Sequence, residues 1–312
     1  MKHMTYLLLL IGFVLLIKGA DFFVEGSSAV ARKLHIPSMI IGMTIVAMGT
    51  SLPECAVSVT ASLAGSNALA VSNVVGSNIF NLMVVCGACA LCTPVPVSQH
   101  TLQKDLPFAI AMGVILLILG YSGMEISQAD GLIFLVIFIC FLIWMVREAK
   151  AGQPEQKPED VSEDLPAWKC LLFIVLGGAA IMWGGDLVVD SASAIASDFG
   201  LSQNLIGLTI VAMGTSLPEL VTSVVASRKG EVDMALGNVL GSNVFNILMV
   251  LGAAAAISPI SFVQENMMDI ILMTAMSLLV WVFAWTNQQV KRSEGAVMLL
   301  VYAAYMVYIC VR

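Results

Sequence analysis

Long apolar stretches, separated by short polar loops, follow one another along the whole chain. Each stretch is close to or above the roughly 18 residues that cross about 30 Å of hydrocarbon as an α-helix. The pattern predicts ten membrane helices, with ends placed to within several residues: 4–26, 37–64, 68–92, 105–121, 130–147, 167–190, 202–227, 232–257, 266–286 and 294–311. It therefore predicts an all-α polytopic membrane protein.

The chain is also a duplication. Residues 42–88 align without gaps on residues 207–253 at an offset of 165, with 28 identities in 47 positions. The first copy reads GMTIVAMGTSLPE and GSNIFN, and the second reads GLTIVAMGTSLPE and GSNVFN. Extending the offset predicts two five-helix repeats, residues 1–147 and 166–312. Between them, residues 148–165 carry six acidic and two basic residues, so we expect a solvated linker.

The basic residues predict the orientation. Eleven lysines and arginines fall in one set of loops, and only Lys2 and Arg312 fall in the other. Since basic loops stay in the cytoplasm, both termini are expected outside and the linker inside. Five is an odd number, so the second repeat enters the membrane opposite to the first. We therefore expect ten transmembrane helices arranged as two inverted repeats, as in many secondary transporters.

Composition narrows the function classes. Apolar residues make up 59% of the chain and charged residues 11%, and the net charge is −7. These values exclude a soluble enzyme and a nucleic-acid partner, and they make the lipid bilayer the expected surroundings. The seven cysteines are an odd number inside apolar runs, so we expect small packing residues, including Cys86, Cys89 and Cys92, and no disulfide framework. The first apolar run lacks a small-residue cleavage site, so we expect it to be a retained helix.

Two glutamates, Glu54 and Glu219, lie deep inside predicted membrane helices at equivalent repeat positions. A carboxylate at that depth is costly, so the favoured interpretation is a functional site; the alternative is a neutral acid bonded to a neighbouring helix. Hydroxyl residues precede each glutamate by four and three positions on the same helix face. They are Thr50 and Ser51 in the first copy and Thr215 and Ser216 in the second.

Each glutamate also follows a proline, and a glycine lies four positions before that proline. Pro53 and Pro218 lack a backbone N–H, so we expect the helices to break there and to free backbone carbonyls that line a cavity. A second wall comes from side chains spaced by four, Ser77 with Asn81 and Ser242 with Asn246. Every ligand offered is oxygen, which suits Ca²⁺ and Na⁺, and no histidine or thiolate accompanies the set.

The duplicated signature resembles the paired alpha-repeats of the calcium/cation antiporter superfamily, most nearly its compact prokaryotic sodium/calcium exchangers. The resemblance implies Na⁺/Ca²⁺ antiport by alternating access across the prokaryotic cytoplasmic membrane, by a single chain that needs no cofactor. It further implies that calcium is held by Glu54, Glu219, Thr50 and Thr215. Flanking sodium sites would use Ser51, Ser77, Ser216, Ser242 and the carbonyls of Ala47 and Ala212, with Asn81 and Asn246 at the centre.

The sequence departs from the family pattern at one central position. Asn246 stands where some archaeal relatives and the potassium-dependent branch carry an aspartate, so potassium cotransport loses support. The motif that resembles calcium/proton exchangers is absent, which favours sodium as the counter-ion and leaves proton/calcium antiport, or antiport of another divalent cation, as the alternative. A passive channel and an intramembrane hydrolase are weaker alternatives, because buried acids favour tight binding and no nucleophile set appears at membrane depth.

The first and sixth predicted helices are rich in glycine and are the expected moving parts. They also carry two pairs of acids, Asp21 with Glu25 and Asp186 with Asp190. Two interpretations stay open for these acids: guiding cations to the entrances, or capping solvated helix ends. Lys18 is expected to pair with Asp21 or to extend towards the interface.

Overall fold

A computed structural model of the chain describes residues 2–65, 67–151, 165–201 and 210–311. The helices of the first half are α1 (Lys2–Leu34), α2 (Ser38–Thr50), α3 (Leu52–Leu63), α4 (67–92), α5 (Thr101–Gly123) and α6 (Gln128–Ala151). Those of the second half are α7 (Ala167–Asp198), α8 (210–214), α9 (Leu217–Arg228), α10 (Val232–Ile257), α11 (Gln264–Asn287) and α12 (Arg292–Val311).

Eight of the described helices are long and apolar enough to cross a membrane, and α2 with α3 makes a ninth span if the bent pair counts as one. The predicted helix 202–227 begins outside the described residues, and α8 and α9 form its described part. Burial separates the helices into two groups. The membrane-length windows of α4 and α10 are 78% buried, against 17–44% in the other candidate spans, so these two helices form the centre of the molecule.

The helix bend falls where the sequence predicts it. The axes of α2 and α3 differ by 50°, and Ser51 between them has left the helical region, with φ −88° and ψ 12°. Pro53 lies in the first turn of α3, where its missing N–H costs no helical hydrogen bond. The equivalent Ser216, with φ −93° and ψ 5°, lies between α8 and α9, and Pro218 lies in the first turn of α9. The described part of the second signature copy thus breaks at the same position as the first.

Glycines bring α1 and α7 into close antiparallel contact. A Cβ atom added at Gly12 would lie 3.0 Å from the Gly184 carbonyl oxygen, and one added at Gly19 would lie 2.9 Å from that of Gly177. From Gly12 to Gly19 on α1, the contacted residue on α7 moves back from Gly184 to Gly177, so the two helix axes are antiparallel. Gly12 and Gly177 are repeat equivalents, as are Gly19 and Gly184, so the two halves exchange the same contacts.

Four two-residue strands, which the sequence analysis did not predict, join the halves. They are β1 (Val95–Pro96), β2 (Glu125–Ile126), β3 (Ile260–Ser261) and β4 (Gln289–Val290). Strand β1 pairs antiparallel with β4, and β2 pairs antiparallel with β3. Strand β3 is the repeat equivalent of β1, and β4 is the repeat equivalent of β2. Exchanging the two repeats therefore converts the β1–β4 pair into the β3–β2 pair.

The repeat offset is not constant, which corrects the simple extension to the chain ends. A π-helical turn, Thr101–Asp105, opens α5, whereas α11 is α-helical throughout. A π turn holds one residue more than an α turn. The left-handed residues that end these helices, Met124 and Gln288, are accordingly 164 positions apart instead of 165.

Two predicted helix ends were placed too early. Helix α1 continues to Leu34 and α7 to Asp198, because the apolar pattern stops at the membrane boundary while the helical backbone does not. Asp21, Glu25 and their equivalents therefore lie within helices, and the interpretation of these acids as helix-end caps is wrong. The seven cysteines are free, with Cys86 and Cys89 buried, as packing residues would be.

Candidate ion-binding site

The two broken helices place their glutamates in one buried region. Ser51 Oγ donates to Glu219 Oε1 at 2.7 Å, and Ser216 Oγ donates to Glu54 Oε1 at 3.2 Å. Each serine thus bonds the carboxylate of the opposite half. Both carboxylates are 0% exposed. The crossed serine bonds therefore bring the two predicted acids into one buried region.

Four buried acceptor oxygens at this site receive no hydrogen bond from the described residues. They form two repeat-equivalent pairs, Glu54 Oε2 with Glu219 Oε2 and Asn81 Oδ1 with Asn246 Oδ1. Buried polar atoms are nearly always paired, so an unpaired set needs an explanation. These atoms are acceptors only, and two carboxylates supply negative charge, so the group that suits them is a hard cation.

The second wall is contributed by α4 and α10, and it differs between the halves. Ser77 Oγ donates to Glu54 Oε1 at 3.4 Å. The equivalent Ser242 Oγ donates to Asn238 Oδ1, also at 3.4 Å, instead of to a glutamate. Both serines are buried, so the structure places both at the site but only Ser77 against a carboxylate.

The threonines differ in the same way. Thr50 is buried, and its Oγ1 lies within hydrogen-bond distance of the Val46 carbonyl, at 3.1 Å, and of Asn238 Oδ1, at 3.2 Å. Thr215 Oγ1 makes no short hydrogen bond to a described residue, and Thr215 lines a cavity. Of the two predicted carbonyl ligands, that of Ala47 accepts the Ser51 N–H at 3.1 Å.

Ala212, whose carbonyl is the second of these ligands, begins the short α-helix Ala212–Gly214, directly before Thr215. The structure therefore places it in the equivalent position on the chain, on the second broken helix.

Four asparagines that were not predicted bond the helices around the site: Asn73, Asn78, Asn238 and Asn243. Asn243 and Asn78 link α4 to α10, because they accept from Asn81 and Asn246, at 3.3 and 3.0 Å. Asn73 Nδ2 donates to the Glu54 carbonyl oxygen at 3.2 Å. Their signal was present, since Asn73, Asn78, Asn238 and Asn243 are polar residues in apolar helices, repeated at the same offset of 165.

A cavity of about 350 Å³ opens beside the site on one side. It lies between α3, α7 and the second broken helix, and residues from each of these elements line it: Pro53, Ala56, Val57, Met182, Gly185, Asp186, Val189, Asp190, Gly214, Thr215 and Pro218. The equivalent space in the other half is filled, because α1 packs along α9.

Comparison with known proteins gives the same picture. The family model described as sodium/calcium exchanger protein matches residues 4–147 and 169–311. The chain is 41% identical to "Putative antiporter CaxA" of Alkalimonas amylolytica over 95% of each chain. It is 31% identical to "Sodium/calcium exchanger MaX1" of Methanosarcina acetivorans over 98% of this chain and 99% of the relative.

Solved structures of the sodium-calcium exchanger NCX_Mj have the same fold. One, soaked with Na⁺ and Ca²⁺, superposes with a TM-score of 0.85 at 32% identity and covers 97% of this chain and 98% of its own.

A cluster of buried oxygens between broken helices, inside a bundle of membrane-length apolar helices, suits a membrane protein that binds cations. The family match then identifies it further: the chain belongs to the sodium/calcium exchanger family. Proteins of this family are transporters and not enzymes, and the matches support antiport of Ca²⁺ against another cation.

Proposed function

We propose that this protein exchanges Na⁺ for Ca²⁺ across the membrane by alternating access. One observation carries the proposal: two carboxylate and two amide oxygens, buried and related by the repeat, have no donor among the described residues. A cation bound between Glu54 and Glu219 would be the partner that the two carboxylate oxygens lack, and Asn81 and Asn246 are proposed to lie at the centre of the site. Thr50, Thr215, Ser51, Ser216, Ser77, Ser242 and the carbonyls of Ala47 and Ala212 are the further oxygens proposed to hold calcium and the flanking sodium ions.

The charge of the site explains why exchange would be obligatory. Two ionised glutamates give −2, which one Ca²⁺ neutralises and three Na⁺ convert to +1. An empty site would carry its charge across a low-dielectric barrier unpaired, which costs several kcal/mol per ion even after relaxation. Loaded states therefore reorient and empty ones do not. Three-for-one exchange would move one net charge, so the membrane potential would bias it by about 2.3 kcal/mol per 100 mV.

We also propose the membrane arrangement expected from the sequence: ten helices, two inverted repeats, termini outside and linker 148–165 in the cytoplasm. The antiparallel contact of the equivalent helices α1 and α7 supports inversion, because a two-fold axis in the membrane plane relates antiparallel partners. The exchanged strand pairs support the same axis. With this orientation the cavity beside Asp186 and Asp190 faces outside, so the structure would be an outward-open state.

Proton/calcium antiport is the competing function, since protons could also neutralise two glutamates. The discriminating experiment uses proteoliposomes loaded with either Na⁺ or acidic buffer, and measures ⁴⁵Ca²⁺ uptake after dilution. We expect uptake with an outward Na⁺ gradient at equal pH, and none with a pH gradient in Na⁺-free buffer. The double variant Glu54→Gln/Glu219→Gln is the control for leak. Uptake driven by the pH gradient alone would overturn the sodium assignment.

A second measurement tests electrogenicity. Valinomycin with a K⁺ gradient sets the potential of the same proteoliposomes. If three Na⁺ leave for each Ca²⁺ that enters, a potential that is positive inside should accelerate uptake, and one that is negative inside should slow it. A rate that does not depend on the potential would indicate electroneutral exchange of two Na⁺ for one Ca²⁺.

A further inference from the structure

Lys229, in the loop between α9 and α10, forms ion pairs with acids in the middle of α1. Lys229 Nζ lies 2.6 Å from Asp21 Oδ1 and 3.7 Å from Glu25 Oε2. It also donates to the Asp21 backbone carbonyl at 2.9 Å. One ammonium group therefore bridges two acids on successive turns of α1 and joins that helix to the second half of the molecule.

Glu231, two residues further along, makes a second tie. Its Oε2 accepts a hydrogen bond from Ser38 Oγ at 2.9 Å, and its Oε1 lies 3.6 Å from Arg32 Nη1. The loop therefore contacts α1 at two positions along its axis, and it also contacts Ser38, the first residue of α2. We refer to Lys229 and Glu231 together as the clasp. By the orientation proposed above, the clasp lies on the cytoplasmic side.

The two repeats can be compared at this place, because the acids of α1 have equivalents on α7 but Lys229 and Glu231 have no charged equivalents in the first repeat. The equivalents of Asp21 and Glu25 are Asp186 and Asp190, and both line the open cavity of about 350 Å³. The position equivalent to Lys229 is Ala64, which has no charge. The position equivalent to Glu231 is a serine, Ser66. Where the lysine is present, α1 packs against α9. Where it is absent, the cavity separates the equivalent helices α7 and α3.

We propose that Lys229 is a positioning residue for transport: it occupies the acidic pair on α1 as a tethered cation and holds the cytoplasmic side closed. Opening to the cytoplasm then requires release of this ion pair, whereas opening to the outside does not. The clasp would therefore make the site face outwards more often than inwards. This inference rests on the proposed exchange function and orientation.

The expected effect is moderate. Lys229, Asp21 and Glu25 are each about one-third or more exposed, and exposed ion pairs contribute about 0.2–1 kcal/mol. Because Lys229 bridges two acids, we expect its loss to raise the inward-facing population by about two- to tenfold. Apparent affinity at one face scales with the population that is open to that face. The half-saturating Ca²⁺ concentration at the cytoplasmic face should therefore fall by the same factor.

The test compares Na⁺-driven Ca²⁺ exchange in inside-out and right-side-out membrane vesicles. Lys229→Gln should lower the half-saturating Ca²⁺ only where the cytoplasmic face meets the bath, and Lys229→Arg should restore the wild-type value. Lys18→Gln is the matched control, because Lys18 also approaches Asp21, at 3.9 Å, but lies on the same helix and clasps nothing. Ala64→Lys supplies the missing ammonium on the other side and should raise the half-saturating Ca²⁺ at the outer face.

The outcomes separate this inference from the proposed function. Absence of Na⁺-driven exchange in the wild-type protein would end the proposed function and with it the role of the clasp. With wild-type exchange intact, an unchanged ratio between the two faces in Lys229→Gln would overturn the clasp alone. Equal changes at both faces would also overturn it, because they would indicate a general structural effect.

Discussion

The two halves of the binding region are nearly identical in sequence and differ in their surroundings. In the first half Thr50 is buried and bonded, and the helix break is covered by α1. In the second half Thr215 Oγ1 makes no short hydrogen bond to a described residue, and Thr215 lines a cavity. Ser77 reaches a glutamate, whereas its equivalent Ser242 reaches Asn238.

The difference teaches how a duplicated site can serve two sides of a membrane. The two glutamates at the centre hold equivalent positions, but the helices around them are packed on one side and open on the other. A pair of equivalent acids inside an asymmetric shell is accessible from one side at a time. Exchanging the shell between the halves would present the same ligands to the opposite side, which is what alternating access requires.

The largest effect is expected where the halves are most alike, at the two carboxylates. Glu54→Gln and Glu219→Gln should each lower Na⁺-driven Ca²⁺ uptake about 100-fold or more. Each variant would leave one positive charge of a bound Ca²⁺ without a carboxylate, and an uncompensated buried charge costs about 3–5 kcal/mol. The control is Glu125→Gln, which changes an exposed carboxylate in strand β2. If either buried variant keeps more than about a tenth of wild-type uptake, the two halves do not share one cradle.

The next effect separates the two serines that bond these carboxylates. Ser51 donates at 2.7 Å and Ser216 at 3.2 Å, and hydrogen bonds to charged groups contribute about 1.5–3 kcal/mol when they are short. Ser51→Ala should therefore raise the half-saturating Ca²⁺ at the outer face about tenfold, and Ser216→Ala about threefold. Ser122→Ala, on an exposed helix end, should change nothing. A larger effect for Ser216→Ala would contradict the inference that the shorter Ser51 hydrogen bond is the stronger one.

Much of this site was readable from the sequence, for a physical reason. Polar residues are rare at membrane depth, so each one that recurs at the repeat offset marks a position that burial alone would not choose. That argument found Glu54, Glu219 and their serines, and it placed the helix breaks at the prolines. It would also have found Asn78 and Asn243, had amides been weighed like carboxylates.

Other features could not be read in this way. The strands β1 to β4 pair across more than 130 residues and are two residues long, so no local pattern announces them. Helices α1 and α7 run past the apolar limit because helical propensity does not end with hydropathy. The asymmetry of the shell has the weakest signal of all, since nearly identical signatures produce a packed side and an open one.

A smaller effect, on stability, tests the packing of α10 against the first broken helix. A Cβ at Gly241 would lie 2.5 Å from Met43 Cα, whereas none of the described residues lies within 4 Å of a Cβ at Gly123, in the last turn of α5. Gly241→Ala should destabilise the protein by about 1–3 kcal/mol, because a backbone atom cannot give way easily. Gly123→Ala should be neutral or slightly stabilising, since alanine favours helix by about 1 kcal/mol.

Thermal unfolding in detergent would measure both glycine variants. Equal losses of melting temperature would mean that the close contact at Gly241 does not limit stability, and the tight packing of α10 on the first broken helix would then be wrong. A loss confined to Gly241→Ala would support it.

The smallest effect is expected at the serines of the second wall. Ser77 reaches Glu54 at 3.4 Å, beyond the usual range for a hydroxyl donor, so its removal should cost about 0.5–1 kcal/mol. Ser77→Ala should then raise the half-saturating Ca²⁺ at the outer face about two- to fivefold. Ser242→Ala should change it less than about twofold, because Ser242 bonds Asn238 and not a carboxylate. If the order reverses, Ser242 contacts calcium in the state that binds it, and the difference between the two serines would belong to this conformation and not to the halves themselves.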